Sequence, residues 1–137
     1  MKTKLTFLKA FTILITVISI TACQKYEDGP MFSLRTKTER VSNTWKVDNY
    51  KLNDNDYTSL FAGYTETYTS DGDFSFNWEI FGGTGKWEFQ NNAAEIKLTG
   101  IDNVSSQTLT ILKLEEKQFW YSYMDGNDTK VFHMIEN

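Results

Sequence analysis

Tyr64, Glu66 and Tyr68 occupy alternate positions, and Phe74, Phe76 and Trp78, then Trp87 and Phe89, repeat the same spacing. Alternate residues of an extended strand share a face, so these side chains define an aromatic face with one carboxylate in it. An apolar pocket with a few polar groups is the usual makeup of a small-molecule site. An unpaired carboxylate among aromatic rings is costly. Glu66 therefore has to reach an open rim, find a partner such as a tyrosine hydroxyl, or meet a ligand. Tyr64, Glu66, Tyr68, Trp78 and Trp87 are the candidate ligand-binding residues for a small apolar or aromatic molecule. The same set also suits a filled interior with no room for a ligand, and both assignments stand at this level.

Other chemistry is thin. His133 is the single histidine and Cys23 the single cysteine, so a His-based metal site or a nucleophile–base triad cannot be assembled conventionally. The expectation is a non-enzyme with no catalytic residues, no metal and no cofactor. On the last candidate strand, His133 reads as a packing or rim residue. Asp54, Asp56, Asp71, Asp73 and Asp125 to Asp128 fall in loops, where turn chemistry accounts for them. Asp125-Gly126-Asn127-Asp128 superficially resembles a calcium loop but lacks the full spacing with a terminal Glu. Gly82-Gly83-Thr84-Gly85 is not followed by Lys-Ser/Thr and a helix, as a phosphate cradle requires, and reads as a turn. The net charge of −4 gives no support for nucleic-acid binding.

The elements that must position these residues are short. From Thr44 onward, runs of β-branched and aromatic residues alternate with polar ones and are separated by turn signals. Eight strands are predicted, over 44–52, 62–69, 73–81, 85–91, 94–100, 107–115, 118–124 and 129–136. Hairpin-short links make sequential antiparallel neighbours, hence a meander. A long meander leaves two edges exposed unless it closes into a barrel. A three-residue loop with Gly72 in the left-handed region would pair Tyr68 with Phe74, Glu66 with Phe76 and Tyr64 with Trp78. Across the glycine-rich segment, Ile80 would then face Trp87 and Trp78 would face Phe89, with Glu79 opposite Glu88 on the outer face. Ser33 to Val41 is predicted as a short helix or extended lead-in, with Ser33 as N-cap and Leu34, Thr38 and Val41 on one side.

The N-terminus carries a different signal. Lys2, Lys4 and Lys9 precede an apolar run, roughly residues 10–20, that ends in Ile20-Thr21-Ala22-Cys23. The run is shorter than the ~20 residues needed to span a bilayer, and the layout is that of a secretory signal. Its end resembles the bacterial lipobox, which implies cleavage before Cys23 and acylation of that cysteine. Residues 1–22 are then the signal peptide, 23–33 the lipidated cysteine with its tether, and 34–137 the barrel domain. Removing the three lysines leaves a more acidic body. Lys25, Glu27 and Asp28, just after the cysteine, resemble the short signal that sends some Bacteroidetes lipoproteins to the cell surface. A solvated linker is the alternative.

The domain itself resembles the lipocalin-like lipoproteins of Bacteroidetes and, more distantly, the lipocalins. The matching stretches are Asn43-Thr44-Trp45-Lys46-Val47, Thr69 to Phe74, Gly85-Lys86-Trp87-Glu88-Phe89, Ile96-Lys97-Leu98 and Thr108 to Leu114. The resemblance implies an all-β, eight-stranded antiparallel up-and-down barrel with Trp45 closing its lower end. Two departures stand out. Position 43 is Asn where lipocalins usually carry Gly, and the last arginine, Arg40, precedes every strand. The implied protein is held at the outer membrane of the cell envelope through Cys23. It binds a small ligand in its barrel, or works through its outer surface on an envelope protein partner.

Overall fold

A computed structural model describes residues 34–101 and 106–137. Nine strands form one antiparallel sheet: β1 (Thr44–Leu52), β2 (Asn55–Asp56), β3 (Thr65–Tyr68), β4 (Asp73–Trp78), β5 (Phe81–Gln90), β6 (Glu95–Thr99), β7 (Gln107–Leu114), β8 (Gln118–Asp125) and β9 (Asp128–Glu136). Strands β3 to β9 pair in sequence. β1 pairs with β3 on one side and β9 on the other, which closes an eight-stranded meander barrel. The two-residue β2 takes the upper edge of β1 that β3 leaves free.

Each strand turns alternate residues inward. Glu66 and Tyr68, Ile96 and Leu98, and Phe132 and Met134 are buried beside partly exposed neighbours. Register shifts between Val47 and Asn49 and between Ile111 and Lys113 mark single extra residues. Such bulges reset the alternation, so Tyr50 and Leu114 are buried three positions after Val47 and Ile111 instead of two.

One end of the barrel is sealed. Helix α1 (Lys37–Val41) is nucleated by a capping box: the Thr36 side chain accepts from the Glu39 N–H, and Glu39 accepts from the Thr36 N–H at 2.6 Å. The helix begins four residues after the predicted Ser33 cap, a position outside the described residues, and Leu34 is exposed rather than packed. Thr36 displaces the earlier start because it alone has a Glu three residues on. Val41 is buried, and its carbonyl accepts from Trp45 Nε1 at 2.9 Å. Trp45 is itself fully buried, with Phe119 at 5.8 Å. Arg40 folds in beside them and donates to the Leu114 carbonyl at 3.0 Å. Helix and tryptophan together stopper the end where β1 starts and β9 finishes.

The β3–β4 hairpin has the predicted register, with Tyr68 opposite Phe74, Glu66 opposite Phe76 and Gly72 at φ +86°. The ladder starts at Thr65, so Tyr64 and Trp78 meet edge to face at 6.3 Å instead of as a strand pair. The β4–β5 hairpin differs from expectation. Its turn is Glu79-Ile80, Trp78 pairs with Phe81, and the glycine-rich segment lies inside β5. Ile80 is exposed, Trp87 pairs with Leu98, Phe89 with Ile96, and Glu88 with Lys97. The glycines serve close approach, not turning. A Cβ on Gly83 would lie 2.5 Å from the Phe76 ring, and one on Gly85 would lie 2.4 Å from the Thr99 carbonyl oxygen. Here β5 passes from β4 to β6, with Lys86 opposite both Asp73 and Thr99. A barrel corner of this kind needs glycine.

Gly85→Ala should therefore lower the unfolding free energy by about 1–3 kcal/mol, the usual cost of overpacking. Urea denaturation measures it, and an unchanged midpoint would show that the corner has slack.

Candidate functional site

Three tyrosines converge on one carboxylate. Glu66 on β3 is 3% exposed. Its Oε1 accepts from the Tyr64 hydroxyl at 2.8 Å and from the Tyr121 hydroxyl of β8 at 2.7 Å. Its Oε2 accepts from the Tyr68 hydroxyl at 2.9 Å. Tyr64 precedes β3 and is held by the chain that crosses the open end. That chain is pinned where Thr58 Oγ1 accepts from the Tyr50 N–H at 2.9 Å and Tyr57 donates to the Tyr50 carbonyl at 3.0 Å. Its Phe61 then lies over the barrel, stacked on Trp78 at 5.1 Å and against Tyr50, Tyr64 and Phe132.

The energies nearly balance. Burying a charge costs several kcal/mol, while each hydrogen bond to a charged group returns about 1.5–3 kcal/mol. Burial wins: it raises the Glu66 pKa above the ordinary 4.5, and the three hydroxyls pull it back part of the way. Burial also raises the pKa of Tyr64, Tyr68 and Tyr121, and the Glu66 charge adds to each. Tyr123, farther along β8, is pushed up to about 12 by burial. All four phenols keep their protons at neutral pH.

Beside this cluster lies a cavity of about 180 Å³, lined by Glu66 and mostly aromatic and aliphatic side chains, including Tyr64, Phe74, Phe76, Leu109, Tyr121 and Phe132. Tyr64, Phe76, Ile101, Gln107 and Tyr123 on its wall are half-buried, so it reaches the surface at the end opposite α1. Ile101 and Gln107 flank positions 102–105, which lie outside the described residues. The volume is well under the ~300 Å³ of a drug-sized site. It slightly exceeds the ~150 Å³ apolar cavity known to hold a benzene. The sealed half is packed solid by Trp45, Leu114, Phe119 and Met134.

Of the residues nominated from sequence, Tyr64 and Glu66 line the cavity. Tyr68 stands behind Glu66 as its hydrogen-bond donor. Trp87 lies on the Tyr68 side, edge to face with it at 5.8 Å, its Nε1 donating to the Thr69 carbonyl. Trp78 is half-buried under Phe61. Neither tryptophan lines the cavity. Cys23 lies outside the described residues. Tyr121, Phe132 and Phe61 were not nominated. The alternation Phe119, Tyr121, Tyr123 does mark an inward face, but only barrel closure shows that it meets Glu66. Trp120 lies on the outer face, stacked on His133 at 4.0 Å with the Lys113 Nζ 4.5 Å from its ring. Compared with known proteins, the chain matches no family model and no curated protein.

A pKa raised on folding means that the native state holds the Glu66 proton to higher pH than the unfolded chain. This contribution is fully present below the ordinary 4.5 and is lost as pH rises through the folded value. Glu66→Gln should remove that downward slope and be at least as stable as the parent at neutral pH. Melting temperatures across the acid-to-neutral range check this, and parallel profiles for the two proteins would contradict it.

Proposed function

We propose that the protein is a lipid-anchored, lipocalin-like lipoprotein of the bacterial cell envelope that binds a small apolar or aromatic ligand in its barrel. The observation that carries the ligand is the cavity: apolar, aromatic, open at one end, with one carboxylate held in place by three hydroxyls. An interior built only for stability would be filled to crystal-like density and would avoid a buried carboxylate, since well-packed apolar residues serve as well. The barrel is compatible with the lipocalin-like assignment, and the described residues begin at its sealed end, where α1 leads into β1. A second reading, an interaction protein working through its surface on an envelope partner, draws on Leu60, Ile80, Phe81 and Met124, all exposed on segments at the open end. They are apolar where a free rim would be polar.

Single-ring compounds titrated into the purified protein should give saturable, one-site quenching of tryptophan fluorescence. Leu109→Phe, which puts a larger side chain on the cavity wall, should abolish it while the melting temperature holds. Absence of saturable binding, or binding indifferent to Leu109→Phe, would remove the barrel from the proposal. For the anchor, Cys23→Ser should shift the protein out of the alkali-washed membrane fraction, and persistence there would rule out acylation of Cys23.

A further inference from the structure

We infer that the ligand of the cavity is a small organic cation: an ammonium group on a body no larger than one ring, held by the Glu66 carboxylate and the surrounding aromatic rings. The inference rests on the reading of the cavity as a ligand site.

Three observations point the same way. Among the described residues Glu66 is the single carboxylate or base on the cavity wall, and it takes part in no ion pair. The groups acting on it are burial and three tyrosine hydroxyls, with no cation among them. Lys130, the base nearest Tyr123, is bonded to Asp125 at 2.6 Å. Second, the hydroxyls around Glu66 are spent as donors to it. Tyr64 and Tyr121, both on the wall, give their protons to Oε1, and Tyr68 gives its proton to Oε2. A carboxylate has about four acceptor positions, so one remains on Oε2, and the phenol oxygens can still accept. A ligand that brings N–H donors or positive charge matches these acceptors, whereas an anion would meet the Glu66 carboxylate and two wall hydroxyls, Tyr64 and Tyr121, whose protons are already committed. Third, Tyr64, Phe74, Phe76, Tyr123 and Phe132 line the space, and aromatic rings attract cations most strongly where water is excluded.

The buried carboxylate also sets a pH dependence. The groups facing Glu66 are Tyr64 before β3, Tyr68 on β3, and Tyr121 and Tyr123 on β8, and all four have raised pKa values. Of these groups Glu66 loses its proton first, and burial moves that loss above the ordinary 4.5. Proton and cation compete for it, so cation affinity rises with pH as the carboxylate ionises.

The test compares three single-ring probes of matched size on the full chain by calorimetry: benzylammonium, benzyl alcohol and benzoate. The expected result is benzylammonium bound at least about tenfold more tightly than benzyl alcohol, its affinity rising with pH as Glu66 ionises, and no benzoate binding. Glu66→Gln should lose the preference for benzylammonium over benzyl alcohol. Because the comparison on the unaltered protein stands alone, a variant that fails to fold does not remove the test. Benzyl alcohol or benzoate bound as tightly as benzylammonium would overturn the cation and leave the ligand site standing. Failure of all three probes to bind would overturn the ligand site itself.

Discussion

The pairing of β1 with β9, from Trp45 opposite Glu136 to Leu52 opposite Lys130, turns a meander with two free edges into a sheet with none. Everything else depends on that closure. An open sheet of this composition would leave one aromatic face in water, and its edge strands would offer unpaired backbone groups to other chains. Closure converts the face into an interior and brings β8 across from β3, so that Tyr121 reaches Glu66 across 55 positions of sequence. The bulges at Asp48 and Leu112 belong to the same constraint, because they let β1 and β7 bend while keeping the inward alternation.

Within the closed barrel the two halves are built on different terms. The half under α1 follows ordinary core logic: large apolar side chains, a tryptophan bonded to the helix through its one polar atom, and an arginine drawn in to satisfy a carbonyl. The other half accepts a carboxylate, three phenols and unfilled space. A carboxylate that needs three donors from two distant stretches of chain is an expensive way to fill volume. It is a direct way to hold a negative charge at a chosen point, because each hydroxyl also fixes the direction in which the oxygens point.

Much of this was legible beforehand where the cause is local. Gly72 with Asp71 and Asp73 specified a three-residue hairpin, and that hairpin dictated the facing of Glu66, Phe74 and Phe76. The β4–β5 register was misread because glycines ordinarily signal turns. Gly83 and Gly85 are there for the Phe76 ring and the β6 backbone, neither of which is a sequence neighbour. The segment 53–61 carried no clear pattern, and its Phe61 became a cover over part of the open end only because Thr58 and Tyr57 bond to β1.

The sequence by itself determined the strands, their inward faces, the first hairpin and the presence of one acid among the aromatics. These follow from the two-residue period of extended chain and from turn chemistry, both of which act over a few residues. Tertiary structure alone decided which tyrosines meet that acid, that Trp78 and Trp87 stand off the cavity, and how much space is left. Strand stagger around a closed barrel is a property of the whole sheet, and an empty volume is what remains after every side chain has been packed.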